Sequence, residues 1–184
     1  IWMFDIITQT AMLVEPAGSI PGSANTTYTF TIPGVYLVTF TVSDGCGGTA
    51  AADTVDGLTA MVVIYDPDGG VVTGGGWISS AAGAYVTNPS LSGKANFGFV
   101  SKYQRGATVP TGETEFQFKV ANLNFSSTVY EWLVVAGARA QYKGTGTING
   151  SGNYGFLLTV VDGQIEGGGG ADKFRIRIWD KNNG

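Results

Sequence analysis

The sequence predicts an all-β protein. Three observations carry that expectation: helical spacing of apolar residues is nearly absent, period-two alternation recurs from Tyr28 to the end, and Gly, Asn-Gly and Asp-Gly bound the alternating runs. The first strands fall at 27–32, 35–43 and 58–65, with Tyr36, Val38, Phe40 and Val42 on one face and Thr39 and Thr41 on the other. Asp66-Pro67-Asp68-Gly69-Gly70 reads as a turn, since proline fixes φ and glycine permits positive φ. It closes a first part of the chain at residue 70.

Beyond it, strands are expected at 71–78, 95–103, 113–121, 128–136, 138–148, 153–161 and 173–179. Phe116, Phe118 and Val120 oppose Glu115, Gln117 and Lys119, and Phe174, Ile176 and Ile178 oppose Lys173, Arg175 and Arg177. Asn149-Gly150 turns a hairpin. Seven short strands joined this way predict a β-sandwich or jelly-roll-like domain over residues 71–184. The four glycines 167–170 relieve a tight connection; no strand-to-helix context follows them to cradle a phosphate.

Charge is sparse and unevenly placed. Only 13% of the 184 residues are charged, against about 25% in ordinary soluble domains. All ten lysines and arginines lie from Lys94 to Lys181. Residues 1–93 therefore carry −7, from Asp5, Glu15, Asp44, Asp53, Asp56, Asp66 and Asp68, and the rest carries +3. Such a dipole favours head-to-tail contact between copies, or one sticky face toward an outside partner. With 43% hydrophobic residues and 29 glycines, much of the surface needs covering by neighbours.

Several function classes are disfavoured. A net charge of −4 argues against nucleic acid as the main partner, and no stretch is long and apolar enough for a membrane helix. The absence of histidine removes Ser-His-Asp triads, Cys-His dyads and the usual general base, so an enzyme is not expected. Glu113, Glu115 and Glu131 offer carboxylates for glycoside hydrolysis, but Glu115 and Glu131 sit opposite apolar positions in alternating strands, as solvated faces do. Cys46 is the single cysteine and has no internal disulfide partner. Ile1 in place of a start methionine is expected of a processed secreted product, and equally of a fragment boundary.

The run Tyr28-Thr-Phe-Thr-Ile-Pro-Gly-Val-Tyr-Leu-Val-Thr-Phe-Thr-Val-Ser-Asp-Gly-Cys-Gly resembles the second half of a PKD (polycystic kidney disease) domain, an Ig-like module, through Pro33, Gly34, Tyr36, Val38, Phe40, Val42, Asp44 and Gly47. The resemblance covers residues 28–65 and implies an extracellular or cell-surface, non-catalytic role. The later segment resembles the glycine-rich β regions that follow such modules in bacterial secreted proteins. The Trp-Asp-Phe-Gly-Asp-Gly-like segment of the family is missing, and the 27 residues before Tyr28 are too few for the strands it places there. An incomplete Ig-like sandwich over residues 15–70 is the expectation, with Phe30, Tyr36, Val38, Phe40 and Val42 awaiting a partner sheet.

Residues 1–14 are a candidate to supply it. Trp2, Phe4 and Ile6 fall on one side of an extended chain and Ile1, Met3 and Ile7 on the other. At about 3.3 Å per residue the segment reaches roughly 46 Å, enough to enter another subunit by strand addition. The alternatives are the first strand of its own sandwich and a leftover signal core. Asp66, Asp68, Asp162, Asp172 and Asp180 are calcium candidates in acidic turns, though their spacing matches no EF-hand and ordinary Asp turns are the plainer reading. Trp77, Trp132 and Trp179, with Tyr85, Tyr103 and Tyr142, offer faces for sugar rings, although aromatics at strand spacing are usually core. The sequence thus predicts a secreted subunit of a filament or surface assembly, built by strand donation and charge complementarity into a homopolymer without a cofactor. A carbohydrate-binding accessory module of a larger hydrolase or adhesin is the alternative.

Overall fold

The computed structural model describes residues 29–43, 46–55 and 58–182. The chain divides into two compact units, one ending at Ile64 and the next beginning at Tyr65, just ahead of the Asp66-Pro67-Asp68-Gly69-Gly70 turn. The donor candidates Ile1, Trp2, Met3, Phe4, Ile6 and Ile7 lie outside the described residues, as does the side chain of Val42.

The first unit holds β1 (Gly34–Leu37), β2 (Phe40–Ser43), β3 (Thr49–Ala52), β4 (Thr54–Val55), β5 (Leu58–Thr59) and β6 (Met61–Ile64). They form three antiparallel ribbons, β1 with β6, β2 with β3 and β4 with β5. The single strand expected at 35–43 is therefore two, interrupted at Val38-Thr39, where the Val38 amide donates to the Ala60 carbonyl. Because β1 and β2 belong to different ribbons, the expected common face does not carry through the break. Val35 and Tyr36 are buried, whereas Val38 is exposed and Phe40 is 66% exposed. Phe30 meets the Tyr36 ring at 4.5 Å, and the Tyr36 hydroxyl donates to the Ile32 carbonyl at 2.6 Å. The described part of the expected strand 27–32, from Thr29 on, forms no strand.

The second unit is one antiparallel sheet of seven strands in chain order: β7 (Val71–Ser80), β8 (Gly93–Lys102), β9 (Thr111–Phe118), β10 (Leu123–Ala136), β11 (Arg139–Ile148), β12 (Ser151–Val161) and β13 (Lys173–Asp180). The hairpin expected at Asn149-Gly150 joins β11 to β12, with φ of 52° and 76° as a two-residue primed turn requires. Phe116 and Phe118 point to the core as expected. Val120 does not: a 3-10 turn at Lys119–Ala121 ends the alternation and leaves it exposed.

The expected sandwich or jelly roll is instead a curled half-barrel. Each strand pairs with its neighbour in sequence, so no crossover carries the chain to a second layer. The sheet covers its apolar face by bending. Register shifts at Ser127/Val129 and Tyr130/Trp132 in β10 are bulges of the kind that increase twist. The bend brings Phe174 of β13 over Phe97 of β8, rings stacked at 3.6 Å, with Phe99 and Phe116 at 6.1 and 6.4 Å. Phe125, Leu133, Tyr142, Phe156 and Leu158 fill the concave side and are almost wholly buried, each contributing about 1.5–3 kcal/mol of transfer free energy.

Candidate functional site

The inner face of the second unit alternates as the strands dictate. On β7 it carries Val72, Gly74, Gly76 and Ile78, facing Ser101, Phe99, Phe97 and Ala95 of β8 in register. Two of these four β7 positions have no side chain, and neighbouring rings take the room. A Cβ at Gly74 would lie 2.6 Å from Cζ of Phe99, and one at Gly76 would lie 3.6 Å from Cζ of Phe97. Glycine in a strand interior marks such close approach.

The outer strands of the curled sheet, β7 and β13, do not pair with each other. Beside them runs a cleft of about 710 Å³, lined by Val71–Ile78, by Phe97, Phe99 and Phe174, and by residues from the ends of β10 to β13. Its floor is aromatic. Arg139, Asp162, Asp172 and Lys173 bring charge to the lining. The acidic pair is engaged in shaping the loop: Asp172 accepts from the Gly163 amide and Asp162 from the Gln164 amide, both at 2.9 Å.

Deeper in the core lies a hydroxyl network. Thr114 Oγ1 is 2.7 Å from the Tyr130 hydroxyl and 2.9 Å from that of Tyr142, and Ser127 Oγ is 3.2 Å from Tyr130. Tyr103 donates to the Leu133 carbonyl and accepts from its amide. Burial pushes all three phenols above their ordinary pKa, because it removes water that would solvate the phenolate. Neutral, hydrogen-bonded tyrosines of this kind set core geometry.

The calcium candidates are dispersed among turns. Asp66 caps the Asp68 amide at 2.9 Å and Asp180 caps that of Asn182 at 2.8 Å, while Asp162 and Asp172 hold the same loop. Among the described residues no three His, Cys, Asp or Glu side chains group to hold a metal ion. Glu131 pairs with Lys143 at 2.7 Å, and Glu113 and Glu115 are exposed.

The three glycan candidates share the outer face. Trp77 is 62% exposed with Lys94 Nζ 5.0 Å from its ring, and Arg177 lies over Trp179 at 5.7 Å. Pairing places Trp132, Lys143, Leu157 and Arg177 in one row across β10 to β13, with Trp179 one row further along β13. The cleft itself was not foreseen from the sequence. Its signal was the run Gly74-Gly75-Gly76 inside an otherwise apolar strand, which announces close approach of another group. No family model, curated protein or solved structure matches this chain.

Proposed function

We propose that the chain is a secreted, non-catalytic structural protein, the subunit of an extracellular filament or surface assembly that grows by strand addition between copies. The observation that carries this reading is the pair of outer strands of the curled sheet, each paired on one side only among the described residues, one of them, β7, without a charge in ten residues. Exposed, uncharged sheet edges are templates for another strand. The resemblance of residues 28–65 to half of a PKD domain supports an extracellular setting, and the acidic-then-basic division of the chain supports head-to-tail contact. Residues 1–14, with apolar residues on both sides when extended, are the donor. The missing histidine and the engagement of Glu131 by Lys143 support a role without catalysis.

Sedimentation velocity and electron microscopy of the full chain test this. Polymers that grow with concentration, weaken with salt and vanish on deletion of residues 1–14 are expected. A monodisperse monomer under all conditions refutes it. A second reading, a carbohydrate-binding accessory module, is favoured by Trp132 and Trp179 on one outer face, three strand spacings or about 14 Å apart across the sheet. It expects a monomer that is retained by an insoluble polysaccharide.

A further inference from the structure

We infer that the acceptor for residues 1–14 is the cleft between β7 and β13 of another copy, where the segment enters as an eighth strand. The inference rests on the strand-addition reading and specifies its site, direction and register.

Direction follows from topology. Six successive antiparallel pairings separate β7 from β13, so the two run parallel. One strand antiparallel to both meets each with the same ladder that joins every other pair in the sheet. The product is an eight-stranded up-and-down barrel, a size whose interior side chains just fill. Length fits as well: β7 lines the cleft from Val71 to Ile78, β13 enters the lining at Lys173 and Phe174, and the segment has fourteen residues.

Facing follows from charge and shape. Trp2, Phe4 and Ile6 share one side of the segment, and Asp5 stands on the other with Ile1, Met3 and Ile7. Turning the aromatic side inward sets it against the Phe97, Phe99 and Phe174 rings. The same choice sets Asp5 outward, on the face where β13 carries Lys173, Arg175 and Arg177. Opposite charges on neighbouring strands stabilise the pairing and like charges oppose it. The reverse facing would put the Asp5 carboxylate in an aromatic interior.

Register follows from the glycines. Setting Phe4 opposite Gly74 puts Trp2 opposite Gly76 and Ile6 opposite Val72, so the two largest inward side chains stand at the two inward positions that have none, beside the Phe99 and Phe97 rings that lie over them. Met3 then lies opposite Gly75 on the outer face.

Disulfide trapping in the full chain tests this. In a Cys46→Ser background, Met3→Cys with Gly75→Cys should give a ladder of intermolecular disulfides on a non-reducing gel, and Met3→Cys with Phe40→Cys should give none. Excess synthetic peptide of residues 1–14, added to the unmodified chain, should cap growth and shorten the assemblies, which a scrambled peptide should not do. Polymers that form normally but resist the peptide, or that cross-link only through Phe40→Cys, overturn the acceptor and leave strand addition standing. A 3–75 disulfide confined to single chains overturns the inter-copy arrangement, because the segment then completes its own sheet. Absence of polymers from the unmodified chain overturns both.

Discussion

Phe174→Ala should open the curled sheet, because Phe174 is the ring by which β13 reaches across to β8. Complete burial of a phenylalanine makes truncation to alanine cost about 3–5 kcal/mol. Phe174 is partly buried against the core cluster, which reduces the transfer and cavity share to about 2 kcal/mol. The 3.6 Å stack on Phe97 adds about 1 kcal/mol beyond burial. The expected loss is therefore about 3 kcal/mol. Urea denaturation followed by tryptophan fluorescence reads it well, since Trp77, Trp132 and Trp179 all lie in the second unit, and Trp2→Phe removes the remaining tryptophan. With a urea dependence of about 2 kcal/mol per molar, the midpoint should fall by roughly 1.5 M. Phe174→Leu, which keeps most of the apolar area and loses the stack, should recover about half of the loss. Arg175→Ala, next in sequence but on the outer face, should change stability by less than about 0.5 kcal/mol. If Phe174→Ala shifts the midpoint no more than Arg175→Ala does, ring stacking is not what closes the sheet.

Three further outcomes follow from the core and its turns. The raised pKa of buried Tyr142 means that the folded chain keeps a proton the unfolded chain releases above about pH 10. Its contribution is complete below that pH and is lost as pH rises towards the folded value, at about 1.4 kcal/mol per pH unit; urea midpoints measured from about pH 8 to about pH 11 should fall steeply at the alkaline end, less so in Tyr142→Phe. Ser101 is fully buried and its hydroxyl has no hydrogen-bond partner among the described residues, so Ser101→Ala should be neutral or stabilising by up to about 1 kcal/mol in the same assay. Gly150→Ala places a Cβ at φ 76° and should cost about 1–2 kcal/mol, seen as a lower thermal midpoint by circular dichroism.

The seven strands of the second unit were legible because their inward and outward residues differ in kind. Phe174, Ile176 and Ile178 against Lys173, Arg175 and Arg177 leave no second phase for β13. Asn149-Gly150 was legible because few pairs adopt positive φ twice in succession. What alternation does not encode is the partner. It assigns a residue to a face and says nothing of whether that face meets a second sheet or the far strands of its own, so a sandwich was expected where the chain curls. The Val38-Thr39 break was hidden for a related reason: Val38, Phe40 and Val42 continue the alternation of Tyr36 in sequence, while the hydrogen bonds change ribbon between β1 and β2. Thr49–Ala52 went unread as a strand because a run of alanines has no period. The cleft was the least legible feature, since glycine signals only that something comes close.

The two outer strands of the second unit, each paired on one side only among the described residues, are guarded differently, and on the proposed reading the difference bears on how an acceptor stays unpaired until its partner arrives. On β13 the outward positions Lys173, Arg175 and Arg177 form a row of like charge that repels a second β13. β7 has no charge to repel anything, but its centre is Gly74-Gly75-Gly76, which presents a weak and poorly specified template to an arbitrary strand. Two copies of β7 laid edge to edge would bring glycine to glycine and bury little. As the proposed donor, residues 1–14 bring what β7 lacks: bulk at Trp2 and Phe4, and a carboxylate at Asp5 for the β13 side. On the proposed reading, specificity therefore resides in the donor rather than in the acceptor edge.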